Sequence, residues 1–162
     1  MLAARKEFNS LLSEIARLNK TIHENEPTAA FNANDLRDKR DQAIKKLSEK
    51  IGVNITSESG GLLSLTLKSG RALVLDQTAL SLTTKINGNN HGYNDVYLKD
   101  NLGSVVTITS EIGSGKLRGI IDMRDTELEG VIDKVDRLAA GFTQEINRVH
   151  QQGIGYDGST GV

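Results

Sequence analysis

Apolar residues return along this chain with changing period. Met1, Ala4, Phe8, Leu11, Ile15, Leu18 and Ile22 recur at alternating spacings of three and four. That is a heptad seam over three repeats, and it predicts a helix packed lengthwise on another helix. Pro27 and Thr28 lie beyond its stop. A second helix is predicted to open at Asn34, whose side chain suits a cap. Asp35 and Asp38 occupy its first turn, where the helix dipole favours negative charge. Leu36, Ala43, Ile44, Leu47 and Ile51 supply its stripe; Lys45, Lys46 and Lys50 approach its end, and Gly52 stops it.

From Val53 to about Thr109 the period falls to two. Val53 and Ile55 alternate with polar neighbours, as do Leu63, Leu65 and Leu67. Ser69-Gly70 reads as a tight hairpin turn into Arg71–Leu75, and Ser59-Gly60-Gly61 as another turn. Ala79 to Ile86, Asp95 to Leu98 and Val105 to Thr109 complete five or six short strands, expected to be antiparallel.

The helical period then returns. Leu128, Ile132, Val135, Ala139, Phe142, Ile146 and Val149 are spaced 4, 3, 4, 3, 4, 3, with Ile121 one heptad earlier and polar residues only near Arg124 and Asp125. A helix from about Lys116 to Gln151 would be roughly 54 Å long. Such a rod needs partners along its length, of which the first two helices can be only part. Gly119, Gly130 and Gly141 recur every 11 residues, on one line opposite the apolar seam, and form a candidate intersubunit face. Each costs about 0.8–1.0 kcal/mol relative to Ala in a helix interior.

The expected fold is therefore α+β: a long-helix bundle of three helices with a small antiparallel β domain inserted between helices 2 and 3. Residues 1–51 form the helical pair, 52–112 the β domain and 113–152 the long helix returning to the helical domain. Residues 153–162 form a loop or frayed end. The helix-packing seams are Phe8, Leu11, Ile15, Leu18 and Ile22; Leu36 and Leu47; and Leu128, Ile132, Val135, Ala139, Phe142, Ile146 and Val149.

Composition narrows the chemistry. Twenty Lys and Arg against 21 Asp and Glu leave a formal charge of −1, without the basic excess of a domain that neutralises phosphates. No apolar run is long enough to span a membrane, and no apolar leader follows Met1. Cysteine is absent, which excludes disulfides and thiolate chemistry. With no Trp and three each of Tyr and Phe, stacking pockets are scarce.

Candidate chemical sites are weak. Gly113-Ser114-Gly115-Lys116 stands where a phosphate loop would, but Ser110 and Leu117 occupy the positions needing Gly and Ser or Thr; Ser114 reads instead as a helix cap. His23, His91 and His150 have no metal-ligand spacing. The Asn87 to Asp95 loop is rich in oxygen donors but offers one carboxylate, too little charge for a calcium site. There is no Gly-x-Ser-x-Gly elbow, and Glu127 and Glu129 face different sides of a helix. No enzymatic activity and no cofactor are expected.

Four blocks of sequence resemble a known family. Asn34-Asp35-Leu36-Arg37-Asp38-Lys39-Arg40-Asp41, followed by Leu47-Ser48 and Gly52-Val53, is similar to an N-x-L-x-D-x-R-D helix start. Gly70-Arg71-Ala72-Leu73-Val74 resembles a G-x-x-L-V hairpin. Gly115-Lys116-Leu117-Arg118-Gly119 through Arg124-Asp125 resembles G-x-L-x-G-x-x-x-x-R-D. Leu138-Ala139, Phe142, Asn147, His150 and Gly153 match a tail motif, with Asp157 two residues later than usual. Together they resemble the middle of the bacterial flagellar hook-associated family that joins hook to filament.

The resemblance implies a central fragment lacking the terminal core-forming segments. It implies a structural subunit acting by helix packing and self-assembly, in a homo-oligomeric ring that touches adjacent hook and hook-associated subunits. The protein would lie outside the cell on the flagellum, exported by the flagellar secretion apparatus without a cleaved signal peptide. It would involve no nucleic acid and no membrane, and Asn147 and His150 would be structural. The fragment alone is expected to be monomeric. The competing expectations are a ligand-binding β module on a helical stalk, as in adhesins, with the Asn87 to Asp95 loop as its site, and a flagellin-like filament subunit.

Overall fold

The first heptad seam forms a helix whose apolar face is broader than a two-position seam. The computed structural model describes residues 2–25 and 33–152. Pro27, Thr28, the tail 153–162 and the side chains of Met1 and Ala4 lie outside the described residues. Helix α1 spans Leu2–Asn25 and helix α2 spans Asn34–Lys50. On α1, Leu12, Ala16 and Asn19 are buried beside Phe8, Leu11, Ile15, Leu18 and Ile22. One side of this face meets α2, whose Ala43, Ile44 and Leu47 are buried; the other meets strands of the β region. Each fully buried Leu or Ile contributes about 1.5–3 kcal/mol.

Seven strands follow where five or six were expected. They are β1 (Asn54–Ser57), β2 (Leu63–Thr66), β3 (Ala72–Leu75), β4 (Thr78–Ala79), β5 (Ser81–Ile86), β6 (Asn94–Lys99) and β7 (Val105–Thr107). They form two sheets, ordered β1-β2-β3-β4 and β5-β6-β7, with every pairing antiparallel. The run expected as one strand from Ala79 to Ile86 is divided at Leu80, with one piece in each sheet. The hairpin between β2 and β3 is also one residue longer than expected. Leu67 N–H donates to the Arg71 carbonyl at 2.8 Å, so Lys68, Ser69 and Gly70 all lie in the loop. Gly70 takes φ +85°, which glycine adopts without a Cβ clash.

Two further expectations are corrected at helix ends. Ala33, not Asn34, precedes α2, and its carbonyl accepts from Leu36 and Arg37 N–H; Asn34 is already helical. Gly52 is not a left-handed cap, since α2 ends at Lys50 and Ile51 turns extended. Its need is for space. Gly52 N–H donates to the Ser114 carbonyl at 3.0 Å, and a Cβ there would lie 1.8 Å from Ser114 Oγ. Gly115, at φ +90°, faces the Lys50 carbonyl and Ile51 backbone, with 2.7 Å from an added Cβ to that oxygen. The two passes of chain at the root of the β region are thus in backbone contact, which fills the Gly113–Lys116 loop with protein.

The last helical stretch is not uniform. Helix α3 (Lys116–Asp122) leads into a π-helical turn (Met123–Leu128) and then helix α4 (Glu129–Gln152). Gly115, not Ser114, directly precedes α3, and its carbonyl accepts from Gly119 N–H at 3.2 Å. The chain resolves into two compact units, residues 1–119 and 120–162.

Polar groups inside the first unit tie its layers together. Asn19 Nδ2 donates to the carbonyls of Leu63 at 2.7 Å and Asp76 at 2.5 Å. Its Oδ1 accepts from Leu63 N–H at 3.4 Å and from the Arg40 guanidinium at 3.0 Å. Buried Arg40 also donates to the Gly61 carbonyl at 2.7 Å. Near the other end of α1, Asn9 Nδ2 donates to the Leu82 carbonyl at 3.0 Å while its Oδ1 accepts from Leu82 N–H at 2.7 Å. One asparagine thereby acts as a strand neighbour to the outer edge of β5. In the β region, Arg71 donates twice to the Glu111 carboxylate at 2.7 Å, and Ser69 adds a third bond at 2.8 Å. The Arg71 bonds hold the Glu111 carboxyl below its ordinary value.

Two outcomes follow from these bonds. Asn19→Ala strands buried donors and acceptors on β2, the Asp76 turn and Arg40, and is expected to lower unfolding free energy by about 3 kcal/mol. Urea unfolding measures this, and a change below about 0.5 kcal/mol would contradict it. Glu111, with its depressed pKa, contributes stability that is present above the ordinary carboxylate range and lost as pH falls through the folded value. Glu111→Gln is therefore expected to be less stable than the parent at pH 7, with the difference shrinking as pH falls below the ordinary carboxylate value and disappearing only beneath the depressed folded one.

Candidate functional site

Helix faces, not a cleft, carry the exposed chemistry. At about 100° per residue, Leu128, Val131, Ile132, Val135, Leu138, Ala139, Phe142, Ile146 and Val149 fall within an arc of about 120° on α4 and its entry. All nine are exposed, Leu138 at 74% and Phe142 at 67%. Scattered single apolar residues on a surface are ordinary, whereas a contiguous stripe marks a contact face. On the polar side of α4, one cluster near the C-terminal end pairs within the helix. Arg148 donates to Glu145 at 2.9 Å and to Gln152 at 3.1 Å, and the Arg148 bond lowers the Glu145 pKa.

The expected seam residues divide into two groups. Phe8, Leu11, Ile15, Leu18, Ile22 and Leu47 are buried, and Leu36 is half-buried. Leu128, Ile132, Val135, Ala139, Phe142, Ile146 and Val149 are exposed. Val131 and Leu138 belong to the same stripe and were not anticipated, because a strict 4-3 count passes over flanking positions. The doublets Leu11-Leu12 and Ile15-Ala16 were the comparable signal on α1. Asn9, Asn19 and Arg40 had no apolar periodicity to announce them.

The glycine line is partly corrected. Gly130 and Gly141 share one line of α4 on the side away from the stripe. The π turn interrupts the eleven-residue arithmetic that placed Gly119 with them. An added Cβ at any of the three meets nothing within 4 Å, so no close approach within this chain requires glycine there.

The remaining candidates are engaged locally. In the Asn87 to Asp95 loop, Asn87 Nδ2 donates to Asp95 Oδ2 at 2.7 Å and Asn87 Oδ1 accepts from Asn89 N–H at 2.9 Å. The Asn87 carbonyl accepts from Asn90 and Gly92 N–H at 3.1 Å, so the loop's oxygens close its own turns. His23 Nδ1 lies 3.2 Å from the Gly60 carbonyl, His91 sits beside the Tyr93 ring and His150 is in the last turn of α4. Among the described residues, no group of three or more His, Asp or Glu is placed to hold a metal. No described helix is long and apolar enough to cross a membrane. A prominent recess is lined from Ala140 to Gln151 by one helix alone, a groove on a rod and not an enclosed site.

Known proteins resemble this chain in sequence and fold. The model of the FlgK flagellar hook-associated protein helical domain matches residues 2–162. Flagellar hook-associated protein 1 of Salmonella typhimurium is 28% identical over 157 residues, covering 96% of this chain and 28% of that protein. Its counterpart in Bacillus subtilis is 29% identical over 178 aligned positions, covering 96% of this chain and 35% of that protein. The solved structure of the flagellar hook junction protein FlgK from Burkholderia pseudomallei matches with a TM-score of 0.65 and 27% identity, over 74% of this chain and 22% of that one. The chain thus spans about a third or less of the length of these relatives.

The burial contrast makes a direct expectation. Leu138→Ser and Phe142→Ser should change the unfolding free energy of the isolated chain by less than about 0.5 kcal/mol. Ile15→Ala should cost about 2–5 kcal/mol. Chemical denaturation of the three variants checks the ranking, and a large loss in either serine variant would show that α4 is covered within the chain.

Proposed function

This chain belongs to the flagellar hook-associated protein FlgK family, and on that premise we propose that it is a structural segment of a subunit joining flagellar hook to filament. One observation carries the proposal: α4 and its entry present an exposed apolar stripe of nine residues. A stripe of that length fits another helix laid along it.

Helices α1 and α2 supply helical packing within the first unit, and α4 supplies a second helical surface. The whole protein assembles as a homo-oligomeric ring and touches hook and hook-associated neighbours. It works outside the cell on the flagellum, after export through the flagellar apparatus without a cleaved leader. The 162-residue chain alone is monomeric in dilute solution. Its contribution is mechanical, through packing of helix faces, and no reaction is assigned to it.

The test is to place Leu138→Glu and Phe142→Glu together in the full-length gene of a motile host. Subunits that fold and are exported, with hooks made but filaments shed, are expected. Normal filament attachment and motility in that strain would contradict the proposal.

A further inference from the structure

Asn87-Gly88 is the one Asn-Gly pair in the chain, and it stands in the loop between β5 and β6. A glycine puts no side chain beside its own nitrogen, so that nitrogen reaches the preceding asparagine's Cγ without steric obstruction. Local structure adds to this. Asn87 is half-buried and Gly88 is exposed. Among the described residues, nothing accepts from Gly88 N–H. The bond from Asn89 N–H to Asn87 Oδ1, at 2.9 Å, folds the side-chain amide back over the next peptide. The ring it closes contains both Cγ and the Gly88 nitrogen. The same N–H points at the oxygen on which negative charge develops when Cγ is attacked.

We propose that Asn87 is a self-modification site, where attack by the Gly88 nitrogen expels the side-chain amide and the carboxylate left behind opposes Asp95 and loosens the hairpin tip. The Gly88 N–Cγ bond forms as the Gly88 proton passes to water. The Cγ–Nδ2 bond breaks, and Nδ2 takes a proton from water and leaves as ammonia. Water then opens the succinimide: attack at Cγ gives aspartate, and attack at the main-chain carbon gives isoaspartate. The sum is amide plus water to carboxylate plus ammonium, with no change of oxidation state. Before the reaction, Asn87 Nδ2 donates to Asp95 Oδ2 at 2.7 Å. Aspartate at position 87 turns that bond into a contact of like charges. Isoaspartate reroutes the main chain through the side chain, so the carbonyl that accepts from Asn90 and Gly92 N–H becomes a free carboxylate. None of this depends on the role proposed for α4.

The reaction is tested by timed incubation of the 162-residue chain in neutral buffer, with the tryptic peptide 86–99 read by mass spectrometry. A gain of about 1 Da is expected at position 87. It should appear about tenfold faster than at Asn89, Asn90 or Asn94 in the same peptide. A Cβ at Gly88 meets nothing within 4 Å, so Gly88→Ala is tolerated and should slow the gain about tenfold. A gain no faster than at the neighbouring asparagines, or untouched by Gly88→Ala, would overturn the reaction. Its consequence is read by hydrogen exchange at the amides of positions 87 and 93, the first of which donates to the Tyr93 carbonyl. Protection is expected to be about tenfold lower in Asn87→Asp than in Asn87→Ser, and to recover when Asp95→Asn is added. Equal protection in the two position-87 variants, or no recovery with Asp95→Asn, would overturn the loosening.

Discussion

Helix α1 must bury its apolar face against partners whose own backbones still need hydrogen bonds, and the first unit is built around that requirement. A helix laid over sheet edges screens their N–H and C=O groups from water, at a cost of about 1–3 kcal/mol for each group left unpaired. Asn9 and Asn19 answer it with primary amides, which offer a donor and an acceptor together and so stand in for a missing strand. Arg40 extends the second of these junctions from α2. The helical pair and the two sheets consequently form one folded body, although their sequence patterns look separable.

The second unit is organised in the opposite way. Its long helix leaves its apolar residues exposed. An isolated helix of this kind gains little from propensity alone, since most helical stability in proteins comes from packing an apolar face. Under the role proposed for this FlgK-family chain, neighbouring helices would supply that packing. The oxygens of the Asn87 loop and the backbone packed around Gly115 are already committed to holding turns and crossings.

Much of this was legible before any coordinates. Heptad spacing marked the α1 and α4 faces, and alternation marked the β region, because both periods reflect simple backbone geometry. The failures have specific causes. The strand boundary at Leu80 has no glycine or proline to mark it. The three-residue hairpin loop differs from a two-residue one by a single bond, between Leu67 and Arg71. The roles of Asn9, Asn19 and Arg40 depend on residues 21 to 73 positions distant, which no local pattern encodes. The π turn escaped because an unbroken heptad count runs straight across it. On the functional side, the apolar face of α4 was readable, but its exposure was not: periodicity marks what a helix can bury, not whether this chain buries it.

The most direct measurement of the central claim is site-specific photocrosslinking in intact flagella. A crosslinking amino acid would replace Phe142 on the stripe, with Arg137 on the opposite face as the comparison. Efficient crosslinking from position 142 to a helical segment of a junction subunit, with little from position 137, is the predicted result. Equal crosslinking from both faces, or none from position 142 in assembled flagella, would contradict it.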